Sequence, residues 1–420
     1  MGDTILSIEA LEILSGTGRP TVGVVLVTTG GLFVEASVPS GTSKGKYEAW
    51  ELHDGGARYR GLGVQVAVEN VNRLIAPRLC GLEVGDHRRI DNLLIQLDGT
   101  ENKRRLGANA ILAVSLAVAK AAAATSGHPL YVHLGGEKAT LLPVPVATVL
   151  AGGKHSPSLL PFEDYMFVMN GFDRFSEAVE GLVEARYCLA RLVAERFGNV
   201  PEEGGALAPP LRTTEEAFDV MLEAADRAGV GDRVSLGLDV AGSDLFIPES
   251  RRYRAAGWEL TADALTEYLL RLTGQYPLTF IEDPFEQDDF DRFARLTATL
   301  AGKQVVGDDL FATNLSRIKM GIEKKACNTL LLKINQIGTV SEALDAGQLA
   351  VTSGYDVVVS LRSSDTTDSF IADLAVALGA RQIKLGSPVR GERNAKYNRL
   401  LWIEHELGRE ARFAGRRRSG

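Results

Sequence analysis

Six short apolar runs in the second half of the chain each end in one charged side chain. The end residues are three acids followed by three cations: Asp239, Glu282, Asp308, Lys333, Arg362 and Lys384. They are separated by 43, 26, 25, 29 and 22 residues, which suits a strand, a helix and two loops. Runs that are apolar throughout are typical of parallel strands covered on both sides. We therefore expect an α/β fold in which these side chains meet at the mouth of an eight-stranded (β/α) barrel of the TIM type.

The three acids would present carboxylates from three adjacent strands. Mg²⁺ prefers oxygen ligands near octahedral geometry and keeps several waters. No cluster of histidines and cysteines accompanies the acids, which argues against zinc. Asp239, Glu282 and Asp308 therefore predict a magnesium site, and the alternative is an acidic patch neutralised by the nearby cations.

Lys333 ends the otherwise apolar run TLLLK. Burial of the ammonium group and the like charges of Lys384 and Arg362 are expected to lower its pKa toward that of a general base. The alternative is a structural lysine that neutralises the carboxylates. A metal triad with a lysine base suits removal of a proton from the carbon next to a carboxylate, because a divalent cation stabilises the doubly charged ene-diolate that forms.

The part of the chain before these runs shows a different order of predicted strands and helices. The run TVGVVLVTTGGLFVEASV predicts two alternating strands that turn at Gly30 and Gly31. A polar loop, PSGTSKGKYEA, and three helical stretches follow, the last of them rich in alanine. We predict an α+β domain over residues 1–137 and a barrel that carries the active site over residues 138–420.

The bulk properties narrow the possible partners. A net charge of −8 argues against nucleic acid or an anionic membrane surface. Cys80, Cys188 and Cys327 lie far apart and show neither metal spacing nor a disulfide framework, and the first ten residues lack the apolar core of a signal peptide. The alanine-rich stretch around Lys120 is interpreted as a packed helix rather than a membrane span. We expect a cytoplasmic protein.

Several longer motifs resemble the enolase family, in order and over nearly the whole chain. They include VPSGTSKGKYEAWELHDGG, NKRRLGANAIL, FIEDPF, VVGDDLFATN, KINQIGT and AKYNRLLWIEHELG. The resemblance implies an N-terminal α+β domain, a C-terminal α/β barrel, two Mg²⁺ ions per active site, an anionic three-carbon substrate that contains phosphorus, and a homodimer or higher homo-oligomer.

The resemblance also implies a role for each matching residue. Asp239, Glu282 and Asp308 correspond to the ligands of the first metal, and Ser43 to a loop serine that joins the second. Lys333 corresponds to the base, and Glu203 and Asp164 to the acids that assist departure of hydroxide. Substrate-binding roles fall on Lys384 for the carboxylate, Arg362 and Ser363 for the phosphate, and His155 on a closing loop.

Departures from the family pattern cluster outside the metal triad. Where the family has SHRSGET, this chain has SLRSSDT, so Leu361 replaces a histidine. Glu163 and Asp164 stand for Gln-Glu, and GTGRPTV stands for SRGNPTV, which puts Thr17 in place of an arginine. Leucine cannot donate a hydrogen bond to a phosphate oxygen, and loss of one such donor costs about 3 kcal/mol in the transition state.

Three functions are therefore open at this point. The first is phosphopyruvate hydratase activity, which converts 2-phosphoglycerate to phosphoenolpyruvate and water. The second is that of an enolase-like carboxyphosphonoenolpyruvate synthase, which joins a CMP-activated phosphonoformate to a phosphoglycerate-type acid in phosphinothricin-type biosynthesis. The sequence contains no P-loop and no GxGxxG motif after a strand, so neither of these motifs supports a nucleotide pocket. The third is a non-catalytic paralogue.

Overall fold

A three-stranded antiparallel sheet opens the chain. In the computed structural model the described residues are 2–41, 45–154, 156–255 and 257–415. The strands are β1 (Ile5–Leu14), β2 (Pro20–Thr28) and β3 (Phe33–Ser37). β2 and β3 form the predicted hairpin, and β1 pairs with the other edge of β2. In β1, Ile5, Ile8 and Ala10 are buried, while Ser7 and Glu9 face solvent together with Leu6 and Leu11, so the strand contributes one face to the core.

Helices cover this sheet. They are α1 (Gln65–Glu69), α2 (Ala76–Leu79), α3 (His87–Asp98), α4 (Ala108–Thr125) and α5 (Leu130–Gly135), with a π-helical segment between α1 and α2. α4 packs on β2 and β3 and is buried on nearly every side, because its alanines allow close approach of the neighbouring backbones. By length and composition α4 could cross a membrane, but it is 83% buried inside the fold. It is a core helix, as the sequence predicts.

Eight further strands close into a barrel, which confirms the predicted fold. They are β4 (Val144–Ala151), β5 (Asp164–Val168), β6 (Ser235–Asp239), β7 (Leu278–Glu282), β8 (Gln304–Gly307), β9 (Thr329–Leu332), β10 (Asp356–Ser360) and β11 (Gln382–Lys384). Pairing of β11 with β4 closes the ring. The six apolar runs of the sequence are β6 to β11, and each pairs in parallel with its neighbour in that series.

β5 is the exception in this barrel, because it runs antiparallel to both β4 and β6. Its first residue, Asp164, lies opposite Asp239, the last residue of β6. Reversal of the strand therefore brings Asp164 to the barrel end at which the other strands finish. This reversed strand was not predicted from the sequence.

Ten helices in the described part of the barrel follow or join the strands. They are α6 (Phe175–Phe197), α7 (Thr214–Arg227), α8 (Gly242–Leu245), α9 (Ala262–Gln275), α10 (Phe290–Thr299), α11 (Leu315–Lys324), α12 (Ile334–Ile337), α13 (Val340–Thr352), α14 (Phe370–Leu378) and α15 (Gly391–Leu407). The long α6 is amphipathic, and Phe175, Leu182 and Leu189 are among the residues on its buried face. In β10, Val358 joins a small core inside the barrel, whereas Val357 and Val359 belong to the main core.

Short strands complete the framework. Glu202–Glu203 pairs with Ala206–Leu207, which extends the barrel sheet beside β4. A small antiparallel sheet is formed by Phe246–Ile247, Arg252–Ala255 and Trp258–Leu260. Leu141–Leu142 pairs with Arg412–Phe413, so the start of the barrel is tied to the C-terminal region. The division of the chain at residues 137 and 138 stays a prediction.

Candidate active site

The strand ends open on a cavity of about 690 Å³. Eight predicted site residues line it: Asp164, Glu203, Asp239, Asp308, Lys333, Arg362, Ser363 and Lys384. Glu282 lies just below, completely buried, with its carboxylate on Lys384. The fold thus brings nine predicted residues together. The other two, Ser43 and His155, lie outside the described residues.

Lys384 is surrounded by carboxylates. Its Nζ lies 2.7 Å from Glu282 Oε2 and 3.0 Å from both Asp239 Oδ2 and Asp164 Oδ2. Burial alone would lower the pKa of Lys384, but the attraction of Asp239, Glu282 and Asp164 outweighs it and raises the pKa well above its ordinary value. We refer to these four residues together with Asp308 and Lys333 as the carboxylate–lysine cluster.

Glu282 provides the test of whether this cluster suits a metal ion. Its Oε1 is buried and has no hydrogen-bond partner. Burial, with the charge of Asp239 next in importance, raises the pKa of Glu282 well above its ordinary value. A buried carboxylate oxygen without a donor is costly, and a divalent cation with oxygen ligands would satisfy it. The residues present therefore fit Mg²⁺.

Asp308 also belongs to a tighter group of acids. Its ligand oxygens and those of Asp283 and Asp309 all lie within 4.8 Å of one another. Asp283, however, already accepts hydrogen bonds from the backbone N–H groups of Asp308 (3.0 Å) and Asp309 (2.6 Å). Asp283 therefore fixes the backbone of the β8 end, and Asp308 is left to face Lys333 and Gln336. Burial and the charge of Asp308 raise the pKa of Asp309 to about 7.

Lys333 follows β9 and forms an ion pair with Asp308. Gln336 Nε2 donates to the other oxygen of the same carboxylate at 2.8 Å. A lowered pKa was expected for Lys333 from the sequence, and this expectation is wrong. Burial does lower the pKa, but the negative charge of Asp308 outweighs burial and the repulsion of Arg362, so the pKa lies above its ordinary value.

Arg362 lies in a loop, residues 361–366, that follows β10; we call it the arginine loop. The buried guanidinium of Arg362 donates from Nη1 to Glu48 Oε2 at 2.8 Å, and this contact joins the barrel to the N-terminal domain. Burial alone would lower the pKa of Arg362, but the charge of Glu48 and the hydrogen bond to it outweigh burial, so the pKa of Arg362 is raised. Asp365 accepts from the Arg362 backbone N–H at 3.2 Å and from buried Lys396 at 2.7 Å, which fixes the loop.

Leu361 lines the cavity beside Arg362 and is 8% exposed. Its backbone N–H donates to the Lys384 carbonyl at 3.2 Å, so the strand pairing of β10 and β11 continues into the arginine loop. The structure therefore presents an aliphatic side chain, which offers no hydrogen bond, where the family pattern has an imidazole.

The two acids proposed for the leaving group are held differently. Asp164 lies on Lys384, whereas Glu203 is exposed at the rim, in the short strand pair beside β4. Burial and the charges of Asp239 and Asp164 raise the pKa of neighbouring Glu163 well above its ordinary value. Glu163 therefore brings a third acidic side chain to this side of the cavity, at a position where the family pattern has an amide.

Two family models match the chain almost end to end. The one described as "Enolase, N-terminal domain" matches residues 5–134, and the one described as "Enolase, C-terminal TIM barrel domain" matches residues 139–419. The chain belongs to the enolase family. Among its enolase-family relatives, the protein named Enolase from Methanopyrus kandleri is 51% identical over 98% of both chains. Those from Pyrococcus furiosus and Methanocaldococcus jannaschii, also named Enolase, are 50% identical and cover 98% of this chain and 97% of their own.

Sequence reasoning missed three residues that shape this enolase-family cavity: Glu48, Asp283 and Asp309. The two aspartates could have been found from the sequence, because each follows another acidic residue, in FIEDPF and in VVGDDL. No sequence pattern indicated Glu48, because its partner Arg362 is 314 residues away in the chain.

Proposed function

We propose that this protein is a Mg²⁺-dependent phosphopyruvate hydratase, which converts 2-phosphoglycerate to phosphoenolpyruvate and water. The observation that carries the proposal is the convergence of Lys333, Lys384 and the metal-ligand acids in one cavity that also contains Arg362. Full-length relatives that are named Enolase support it.

Each residue has a defined role in this proposal. Neutral Lys333 accepts the proton from C2, and the electron pair of the C2–H bond moves into the carboxylate of the substrate. Lys384 holds that carboxylate, while Arg362 and Ser363 hold the phosphate. The C2–C3 double bond then forms as the C3–O bond breaks, and the hydroxide leaves with a proton from Glu203, assisted by Asp164. His155 would close over the bound substrate.

The same proposal assigns the metal ligands. Asp239, Glu282 and Asp308 would hold one Mg²⁺, and Ser43 would join a second. Bound Mg²⁺ would supply positive charge at the substrate carboxylate and compete with Lys333 for Asp308, which favours the neutral amine.

The proposed partner is an anionic three-carbon phosphorus-containing acid, and neither nucleic acid nor a membrane is proposed. We further propose a homodimer or higher homo-oligomer that works in the cytoplasm. The names of the relatives favour the hydratase over the carboxyphosphonoenolpyruvate synthase. The retained base and metal-ligand set speaks against a non-catalytic paralogue.

A direct assay tests the proposal. The purified protein is incubated with Mg²⁺ and 2-phosphoglycerate, and phosphoenolpyruvate is followed by its ultraviolet absorbance. We expect turnover that stops when a chelator removes Mg²⁺ and resumes when Mg²⁺ is added back. Absence of turnover in protein that still binds Mg²⁺ would reject the hydratase and favour the synthase, which is then assayed with CMP-phosphonoformate.

A further inference from the structure

Arg19 lies in the turn between β1 and β2 and lines the cavity, although it belongs to the N-terminal domain. The turn, residues 15–19, is closed by a hydrogen bond of 2.9 Å from the Ser15 backbone N–H to the Arg19 carbonyl. Gly18 within it has a φ of +73°, a conformation that glycine adopts without strain. The turn is therefore a defined element that carries a guanidinium to the active site.

This turn is attached to the arginine loop. The Gly16 backbone N–H donates to the Asp365 carbonyl at 2.8 Å. The Ser15 hydroxyl lies 2.7 Å from the Ser364 hydroxyl, and the Thr17 hydroxyl contacts the same group. Residues two to four positions from Arg19 thus touch residues two and three positions from Arg362. The two arginines enter the cavity from segments that are packed against each other.

The other cations of the cavity lining are already engaged. Carboxylates hold Lys333, Lys384, Arg362 and Lys154, and Arg393 donates to the Leu385 carbonyl. The half-buried Arg19 side chain makes no hydrogen bond and no ion pair with any residue in the described ranges. Its five donors and its full charge are therefore available to a ligand.

The sequence around this turn differs from the family motifs SRGNPTV and SHRSGET in the placement of cations. The chain has Thr17 where the first motif has arginine and Leu361 where the second has histidine. It has Arg19 where the first motif has asparagine. The turn therefore still carries one arginine, two residues further along, and both positions line the cavity.

We propose that Arg19 is a specificity-determining residue that binds the phosphoryl group of the substrate together with Arg362. The charge of Arg362 is partly neutralised by Glu48, whereas a phosphate monoester brings close to two negative charges. A second guanidinium supplies the missing charge and directed donors. This inference rests on the proposed function, because it names the group that recognises the phosphorylated end of that substrate.

The test compares Arg19→Gln, which removes the charge, with Arg19→Lys, which keeps it. Arg78→Gln is the matched control, since Arg78 is an exposed arginine of the same domain that does not line the cavity. Melting curves followed by circular dichroism check that each variant folds. For Arg19→Gln, KM for 2-phosphoglycerate should rise about tenfold or more while kcat changes less than about threefold. Arg19→Lys should lie between this variant and the wild type, and Arg78→Gln should match the wild type.

Two results would overturn the assignment: an unchanged KM in Arg19→Gln, or a loss confined to kcat. If the wild type does not turn over 2-phosphoglycerate, the proposed hydratase activity is rejected. The role of Arg19 is then tested separately, by calorimetric titration of the protein with inorganic phosphate. Phosphate binding that is weakened about tenfold in Arg19→Gln, but not in Arg78→Gln, supports the role of Arg19 in binding a phosphoryl group. Equal binding by both variants, or no binding by the wild type, rejects it. If Arg19→Gln does not fold, the same assays are used to compare Arg19→Lys with Arg78→Gln, and that comparison decides.

Discussion

The carboxylate–lysine cluster and the arginine loop border the same cavity but are held in different ways. In the cluster, the side chains stand at or next to the ends of barrel strands, and ladder pairing such as that of Asp164 with Asp239 fixes their positions. Around the arginine loop, the positions depend on contacts between two domains, such as the pair of Arg362 with Glu48. The family's metal ligands and base are in the first region, which has one substitution, Asp164. The second region keeps Arg362 and Ser363, but Leu361 within it and Thr17 packed against it are substitutions. The residues proposed to act at the substrate carboxylate are thus held by the barrel strands, whereas those proposed to bind its phosphate depend on contacts between the two domains.

The largest effect is expected from Lys333→Ala, which removes the base from the cluster. Activity should fall by about 10³-fold or more, because proton transfer by a positioned group contributes on that order. Exchange of the C2 proton of 2-phosphoglycerate in D₂O, followed by NMR, should stop. Lys319→Ala, at an exposed lysine of α11, is the control and should exchange at the wild-type rate. Exchange that continues in Lys333→Ala would refute the assignment of the base.

A smaller loss is expected from Glu282→Gln, which removes one charge from the same cluster without changing the shape of the side chain. The Mg²⁺ concentration for half-maximal activity should rise by about 10- to 100-fold. The metal-free variant should melt close to the metal-free wild type, because the glutamine oxygen can still accept from Lys384 and because Asp239 and Asp164 keep that ammonium group paired. Melting curves with Mg²⁺ and with a chelator measure both effects, with exposed Glu323→Gln as the control. An unchanged Mg²⁺ requirement would remove Glu282 from the ligand set.

The smallest effect, and the only gain, is expected from Leu361→His in the arginine loop. An added donor should raise kcat/KM for 2-phosphoglycerate by about tenfold, less than the full worth of a preorganised donor because the loop was not selected around it. Leu361→Ala serves as the control, because it enlarges the cavity without adding a donor. No gain in Leu361→His would mean that this leucine does not limit the reaction. An equal gain in both variants would point to space rather than hydrogen bonding.

The same contrast separates what the sequence could predict from what it could not. Parallel strands finish at one end of a barrel, so acids at the ends of β6 and β7 could be placed together from spacing alone. The reversed β5 could not, because strand direction depends on pairing with distant neighbours. The pKa of Lys333 was also missed: the identity of its closest partner, Asp308, is a matter of side-chain geometry that spacing does not contain. Likewise the pair of Glu48 and Arg362 joins residues 314 positions apart.

The attachment of the turn at residues 15–19 to the arginine loop has a consequence for inheritance. Recombination between genes of two relatives near residue 137 would give a chimera whose N-terminal sheet and barrel each keep their own core. The cavity wall, however, would combine a turn from one parent with a loop from the other, and the contact of Thr17 with Ser364 would be mismatched wherever the parents differ. The N-terminal domain therefore contributes to the cavity wall, and we expect the effects of substitutions in the turn and in the arginine loop to depend on each other.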